Sequence, residues 1–94
     1  MATLEEAALA LVATRVGTDV SFSSVSTDTR TVKPGALFVA LRGENHDGRD
    51  YVSLAFANGA VAALAEPRPD LLNSGYPMLL VGSSREALKR LAAW

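Results

Sequence analysis

The stretch Ser24–Asp50, SVSTDTRTVKPGALFVALRGENHDGRD, carries most of the unusual residue choices in this 94-residue chain. It predicts a strand over Val25–Arg30, a tight turn and a second strand over Leu37–Leu41. Pro34 followed by Gly35 fits a type II turn, in which the glycine takes the position with positive φ. The second strand is a continuous apolar run, which favours burial on both faces, although so short a run is also compatible with a helix.

The first predicted strand ends in polar side chains, those of Thr27, Asp28, Thr29 and Arg30. Hydroxyl groups donate and accept hydrogen bonds, as a nucleotide base requires, but Ser and Thr also populate strand edges and turns without any ligand. We interpret Asp28 as a structural cap or ion-pair partner that holds the following loop. Arg30 carries a guanidinium, which matches the geometry of a phosphate.

The polar loop Gly43–Gly48 follows the second strand, at a strand end, where α/β folds commonly bind ligands. Its flanking glycines allow the backbone to approach a ligand closely. His46 is the only histidine of the chain, so it cannot form a histidine cluster for a metal ion. A lone histidine on a loop is more often a solvated side chain than a catalyst.

The composition fits one small folded domain. Hydrophobic residues make up 49% of the chain and the net charge is −1, so we expect a modest core and no electrostatic attraction to nucleic acid. The absence of cysteine rules out disulfides and thiolate metal sites and is compatible with a reducing cytoplasm. The first residues lack the basic segment of a signal peptide, and no apolar run approaches the roughly 20 residues of a membrane span.

Capping patterns predict three helices, with the capping residues Thr3, Asp50 and Ser83. These helices run from Leu4 to about Thr14, over Tyr51–Asn58, and from Ser84 to Trp94. Gly17 is expected to end or turn the chain after the first helix. Gly59 is expected to follow the second helix in the left-handed conformation.

Further strands are predicted over Val20–Ser23, Ala60–Ala65 and Met78–Val81. Glu66–Asp70 is predicted to be a loop because two prolines cannot lie inside a central strand, and Leu71–Ser74 a single helical turn. The alternation of strand and helix signals predicts an α/β fold, a small single domain with a mixed sheet of about four or five strands flanked by helices.

The spacing of these residues resembles the N-terminal domain of the Mur ligases that act late on the peptidoglycan precursor. The shared pattern is D-[ST]-R-x-V-x-P-G-x-L-F-V-A-L-x-G-E-x-x-D-G, and the resemblance covers nearly the whole chain, most weakly over the first twenty residues. The matching positions are Asp28-Thr29-Arg30, Pro34-Gly35, Leu37–Leu41, Gly43-Glu44 and Asp47-Gly48, with Asn58-Gly59-Ala60 further on. Two types share the pattern. The MurE type adds the third amino acid to the UDP-muramoyl dipeptide, and the MurF type adds D-alanyl-D-alanine to the tripeptide.

The resemblance implies that residues 1–94 form the UDP-substrate-binding N-terminal domain of a bacterial cytoplasmic ligase of the MurF type. The residues that it implies for UDP binding are Ser26, Thr27, Asp28, Thr29, Arg30, Gly43, Glu44, Asn45, His46, Asp47, Gly48 and Arg49. Gly43-Glu44 and the ending Leu91–Trp94 favour the MurF type, and the MurE type stays the alternative. Family members often have an aromatic residue in place of His46 and a histidine in place of Arg49, although Arg49 would still put a cation near the diphosphate.

The resemblance also implies further domains, since in these ligases a central domain binds ATP and magnesium and makes an acyl phosphate on the peptide. A C-terminal domain brings the incoming amino acid or dipeptide. This chain has no G-x-x-x-x-G-K-[ST] phosphate loop, so we expect no cofactor of its own and no activity from the isolated chain. Its partners would be the UDP-MurNAc-peptide substrate and its own central and C-terminal domains, with no nucleic acid and no membrane span. The last predicted helix has no stop signal, and we expect a longer enzyme to continue from it.

Two hypotheses of other classes stay open. The chain could be a non-catalytic nucleotide-binding or interaction module that shares the fold, because fold does not fix function. It could also be a structural domain with an empty pocket. A phosphate loop encoded downstream of Trp94 would support the ligase, and binding of a uridine nucleotide would argue against the empty pocket.

Overall fold

The computed structural model describes residues 2–93, which form a five-stranded sheet, a separate two-stranded sheet and four α-helices. The strands are β1 (Ala2–Thr3), β2 (Thr14–Val16), β3 (Ser21–Phe22), β4 (Ser24–Ser26), β5 (Ala36–Val39), β6 (Ala62–Ala65) and β7 (Met78–Leu80). The α-helices are α1 (Leu4–Leu11), α2 (Val52–Ala57), α3 (Pro69–Leu72) and α4 (Ser84–Ala93). Two 3₁₀ helices cover Thr29–Thr31 and Gly48–Tyr51.

The main sheet has the strand order β2-β7-β6-β5-β4. β4, β5, β6 and β7 are parallel to one another, and β2 alone pairs antiparallel, with β7. β1 and β3 pair antiparallel as the separate ribbon. The prediction of an α/β domain with a mixed sheet of four or five strands is therefore confirmed. Because the strands β4 to β7 are parallel, their carboxyl ends lie at one edge of the sheet.

The central strands β5 and β6 are buried on both faces, as the apolar run predicts. Leu37 and Val39 pack with α1 and α4 on one face of the sheet, and Leu64 of β6 joins them. Phe38 and Ala63 point the other way and pack with α2. All of these side chains are at most 2% exposed. Their alternation follows from the two-residue period of a strand.

The predicted caps at Thr3 and Ser83 and the predicted turn at Gly35 are confirmed by the local contacts. The amide of Glu6 donates to Thr3 Oγ1 at 3.1 Å while the amide of Thr3 donates to Glu6 Oε1 at 3.0 Å, which completes a capping box on α1. The amide of Glu86 donates to Ser83 Oγ at 3.3 Å at the start of α4. Gly35 and Gly59 both have positive φ, at 87° and 119°. The prediction that α4 reaches Trp94 concerns a residue outside those described.

The first helix is shorter than predicted and is followed by a strand that the sequence did not reveal. α1 ends at Leu11 because Val12 adopts the left-handed conformation with φ of 53°. A β-branched residue rarely takes this conformation, so it gives no stop signal. The helix was predicted to run to about Thr14, but Thr14–Val16 form β2 beside β7. Gly17 turns the chain after this strand.

The first strand of the decisive stretch ends at Ser26, not at Arg30 as predicted. The reason is Asp28, whose carboxylate accepts the amide of Arg30 and begins a 3₁₀ helix. Asp50 does not cap the second helix either. Asp47 caps the 3₁₀ helix Gly48–Tyr51, which leads directly into α2.

The predicted loop Glu66–Asp70 is also shorter than expected. Pro69 begins α3, which covers Pro69–Leu72, whereas the sequence predicted a helical turn over Leu71–Ser74. Proline suits the first position of a helix, since the N–H that it lacks would have no partner within the helix.

The central strand β6 offers a direct test of the core. We expect Leu64→Ala to lower the free energy of unfolding by about 2–5 kcal/mol, because Leu64 is fully buried between the sheet and the helices. Leu9→Ala is the matched control, since the Leu9 side chain is 75% exposed, and should change stability by less than about 0.5 kcal/mol. Urea denaturation followed by circular dichroism measures both. Equal losses for the two variants would contradict the assigned core.

Candidate functional site at the ends of β4 and β5

A cleft of about 460 Å³ opens at the carboxyl ends of β4 and β5. Its lining combines residues from both polar segments of the decisive stretch with two further aromatic residues: Thr27, Asp28, Thr29, Arg30, Phe38, His46 and Tyr51. We call Thr27–Arg30 the first wall, and His46 with Tyr51 the second wall. Phe38 of β5 is 2% exposed and lies at the base.

The first wall is shaped by the pair Asp28 and Arg30. The Asp28 carboxylate accepts the amide of Arg30 at 2.9 Å and also binds its guanidinium, with Nη2 donating to Oδ2 at 2.8 Å. This hydrogen bond with the guanidinium lowers the pKa of Asp28 to about 2. The interpretation of Asp28 as a cap and ion-pair partner is therefore confirmed. The Arg30 side chain is still 86% exposed, so its cation remains accessible from the cleft.

In the second polar segment, Asp47 and Arg49 form the same cap and ion pair as Asp28 and Arg30. The Asp47 carboxylate accepts the amide of Arg49 at 3.0 Å, and Arg49 Nη2 donates to its Oδ2 at 2.7 Å. The hydrogen bond from Arg49 lowers the pKa of Asp47 to about 2. Here, however, the arginine side chain is only 11% exposed, and its Nη1 donates to the carbonyl of Pro67 at 3.0 Å. These contacts favour a structural role for Arg49, and its predicted place near a diphosphate stays a prediction.

Arg68 connects the loop after β6 to the second wall. Its Nη1 donates to Asp50 Oδ1 at 2.7 Å, its Nε donates to Asp70 Oδ1 at 2.7 Å, and its Nη2 donates to the carbonyl of Arg49 at 3.2 Å. The hydrogen bonds to Asp70 and Asp50 raise the pKa of Arg68. The 3₁₀ helix that carries Tyr51 is thus held by its own Arg49, which donates to Pro67, and by Arg68 from the loop after β6. The sequence predicted Arg68 only as part of a loop.

The loop between Gly43 and Gly48 lies mostly beside the cleft. The amide of Gly43 donates to the carbonyl of His46 at 2.7 Å, which closes the loop, and the amide of Gly48 donates to the carbonyl of Leu41 at 2.8 Å. A second hollow of about 400 Å³ shares His46 with the cleft and is lined by Arg42, Gly43, Glu44, Asn45, His46, Asp47 and Asp50.

The remaining predicted site residues do not line the cleft. Ser26 lines a separate hollow with Thr27 and Lys33, and its Oγ donates to the carbonyl of Asp28 at 2.9 Å. Gly48 is buried, so its backbone is not accessible to a ligand in the cleft. The structure therefore brings Thr27–Arg30 and His46 together in one cleft and puts the other predicted residues around it.

Two aromatic residues of the cleft were not predicted. Tyr51 stacks on His46 with ring centroids 5.5 Å apart and an angle of 15° between the ring planes. Phe38 was assigned to the core because it lies in the apolar run. Tyr51 was assigned to the start of a helix, although an aromatic residue shortly after a strand-end loop is a signal that could have found it.

A buried polar cluster fixes the strand ends next to the cleft. Ser84 is fully buried; its Oγ donates to Glu66 Oε2 at 3.0 Å and accepts from the amide of Arg42 at 3.2 Å. Burial acts to raise the pKa of Glu66, but hydrogen bonds from Ser84 and Arg42 hold it below its ordinary value. The ends of β5 and β6 are thereby tied to the first turn of α4.

Within residues 2–93, no group of three or more His, Cys, Asp or Glu side chains is arranged to hold a metal ion. The same residues contain no helix long and apolar enough to cross a membrane.

Comparison with known sequences gives one family. A profile described as "Mur ligase family, catalytic domain" matches residues 21–94. The chain is 46% identical over 78 residues to the UDP-N-acetylmuramoyl-tripeptide–D-alanyl-D-alanine ligase of Escherichia coli (strain K12), covering 83% of this chain and 17% of the relative. It is 42% identical over 72 residues to the UDP-N-acetylmuramoyl-L-alanyl-D-glutamate–2,6-diaminopimelate ligase of Chlorobium phaeobacteroides, covering 76% of this chain and 14% of the relative. The chain thus spans less than a fifth of the length of these relatives.

Solved structures with the same fold come from the same family. A crystal structure of MurF from Acinetobacter baumannii superposes with a TM-score of 0.77 at 26% identity, covering 95% of this chain and 20% of that chain. A crystal structure of the MurF ligase from Thermotoga maritima in complex with ADP superposes with a TM-score of 0.61 at 36% identity, covering 73% of this chain and 16% of that chain.

The ion pair of Asp47 with Arg49, next to the second wall, predicts a pH dependence of stability. The pKa of Asp47 is about 2 in the folded chain against an ordinary 3.8, so its carboxylate stabilises the fold above pH 4 and this contribution is lost as pH falls through about 2. We expect Asp47→Asn to lower the free energy of unfolding by about 1–2 kcal/mol at neutral pH. The difference from the unsubstituted chain should shrink between pH 4 and 2 in urea denaturation.

Glu44→Gln is the control for this measurement, since Glu44 is an exposed carboxylate of the same loop. We expect it to change stability by less than about 0.5 kcal/mol throughout this pH range. A difference between Asp47→Asn and the unsubstituted chain that stays constant down to pH 2 would contradict the assigned ion pair.

Gly48 tests how tightly the second wall packs on β5. A Cβ atom at this position would lie 2.8 Å from the amide nitrogen of Leu41 and 2.9 Å from Ala40 Cα. Because both neighbours are backbone atoms, we expect Gly48→Ala to cost about 1–3 kcal/mol of stability. Gly82→Ala is the matched control, since no atom lies within 4 Å of its Cβ position. Thermal unfolding that ranks the two variants in the opposite order would show that the loop packs differently.

Proposed function

This chain belongs to the Mur ligase family, and we propose that it is the UDP-muramoyl-peptide-binding N-terminal domain of a ligase of the MurF type. The whole enzyme would add D-alanyl-D-alanine to UDP-MurNAc-tripeptide during peptidoglycan precursor synthesis, in the bacterial cytoplasm. The Escherichia coli relative and the MurF structures support this type. The Chlorobium phaeobacteroides relative, named for the addition of 2,6-diaminopimelate, keeps the MurE type as the alternative.

The observation that carries the proposal is the cleft between the two walls. The stacked rings of His46 and Tyr51 offer a planar surface against which a uracil ring can stack. The hydroxyls of Thr27 and Thr29 can donate to the uracil carbonyls and accept from its N–H. Among the described residues that line the cleft, Arg30 is the only lysine or arginine, and it supplies a cation for the diphosphate.

The other predicted residues take different parts in this proposal. Gly43, Glu44 and Asn45 line the neighbouring hollow and would contact the substrate beyond the base. Asp28 and Asp47 would shape the two walls through their ion pairs, and the remaining residues Ser26, Gly48 and Arg49 would support them.

The contribution of this domain to the reaction would be positioning. By holding the UDP end of a long substrate, the domain would fix the far end of the peptide for the reaction, so that remote binding energy supports the chemical step. Among the described residues, no group of three or more His, Cys, Asp or Glu side chains is arranged to hold a metal ion, and the sequence has no phosphate loop for ATP. The proposal therefore assigns ATP and magnesium to parts of the enzyme outside this chain, and predicts that the chain alone is inactive.

Arg30 gives the test of this function. Arg30→Gln should weaken UDP binding about tenfold, because a charge-assisted hydrogen bond to phosphate is lost, and should leave the affinity for uridine within about twofold. Isothermal titration calorimetry with UDP and with uridine measures both affinities.

Arg90→Gln is the matched control, since Arg90 is an exposed arginine on α4 outside the cleft. Its affinity for UDP should equal that of the unsubstituted chain. If the unsubstituted chain bound no uridine compound, or if Arg30→Gln weakened uridine as much as UDP, the assigned diphosphate contact would be wrong.

A further inference from the structure

One side chain links the two walls of the cleft although it lines neither of them. Asn58 is the residue directly after α2, and its Nδ2 donates to the carbonyl of Thr29 at 2.9 Å. α2 continues from the 3₁₀ helix that carries Tyr51. Asn58 therefore ends the continuous helical segment that contains Tyr51 of the second wall, whereas Thr29 lies in the first wall.

The first wall has few other fixed points. Its residues are half-buried or exposed, and the hydrogen bonds of Ser26 and Asp28 hold it only to its own segment. Within residues 2–93, the bond from Asn58 is the one side-chain hydrogen bond between the segment 52–58 and the first wall.

The backbone next to Asn58 is itself fixed, so the side chain starts from a rigid base. The amide of Gly35 donates to the carbonyl of Gly59 at 3.0 Å. A Cβ atom on Gly59 would lie 3.1 Å from Pro34 Cα, so the chain after α2 runs closely against the turn before β5. A donor that projects from this point can hold the first wall at a defined distance from α2.

We propose that Asn58 is a positioning residue for the cleft, which fixes the first wall relative to the second by donating to the Thr29 carbonyl. The identity of the ligand, a uridine nucleotide, rests on the proposed function; the link between the walls does not. This role depends on a donor at position 58. Asn58→Asp keeps the shape of the side chain but removes the donor. The new carboxylate would then face the Thr29 carbonyl, and both groups only accept hydrogen bonds.

The binding arm of the test compares Asn58→Asp and Asn58→Ala with the unsubstituted chain. We expect both variants to bind UDP about threefold to tenfold more weakly, since one hydrogen bond that orders the first wall is lost. Asn73→Asp is the matched control, because Asn73 follows α3 in the same capping position and receives the same charge next to a helix C-terminus. Its affinity for UDP should stay within about twofold.

The second arm of the test needs no ligand. It detects the hydrogen bond from Asn58 through the NMR signal of its acceptor, the Thr29 carbonyl. The carbonyl carbon of Thr29 should change its NMR chemical shift in Asn58→Ala at any pH. In Asn58→Asp it should change at about pH 6.5 and return towards its original value at about pH 3, where a protonated carboxyl donates again. The pKa of Asp28 is about 2, so its cap on the first wall persists at that pH. A merely structural effect of the substitution would not reverse with protonation.

The two arms separate the possible failures. A Thr29 carbonyl shift that is unmoved in both variants would overturn the inference. A moved shift together with undiminished UDP affinity would overturn the positioning role. If the unsubstituted chain binds no uridine nucleotide, the proposed function fails. The Thr29 carbonyl shift then tests the link between the walls by itself: a change in the Asn58 variants supports the link, and no change overturns it.

Discussion

The parallel pairing of β4, β5, β6 and β7 is the constraint on which the rest of the structure depends. It brings four strand ends to one edge of the sheet, and the cleft opens at that edge. The pairing is stable because both faces of β5 and β6 are apolar and both are covered by other elements of the fold. Burial on both faces is usual for the strands of a parallel sheet. Along β5 and β6, polar residues consequently begin only beyond the strand ends, where the chain leaves the core.

At that edge, ion pairs between near neighbours shape the backbone. Asp28 with Arg30 and Asp47 with Arg49 are the same arrangement, an aspartate that accepts the amide two residues on and holds the arginine side chain. The two ion pairs differ in how far the arginine side chain is exposed to solvent. Arg30 faces solvent and can serve a ligand, whereas Arg49 is enclosed by Asp47 and Pro67. One local pattern thus yields a solvent-exposed cation on the first wall and an internal support for the second.

The features predicted from the sequence are those that local chemistry decides. The burial of β5, the capping box at Thr3 and the positive φ of Gly35 each follow from a few adjacent residues. Some of the features that were predicted wrongly, or were not predicted, depend on distant contacts. Val12 is left-handed where the chain leaves α1 for β2, which pairs with β7 far along the sequence. The clustering of Phe38 and Tyr51 with the first wall arises only when strands and helices pack, so periodicity could not reveal it.

The central claim is that one cleft between two strand ends binds the uridine end of the substrate. An NMR titration of the assigned chain with UDP tests it most directly. We expect saturable shifts concentrated at Thr27, Thr29, Arg30, His46 and Tyr51. Shifts confined elsewhere, for example to the groove between α1 and α4 that Val12 and Arg90 line, or no shifts up to millimolar UDP, would contradict it.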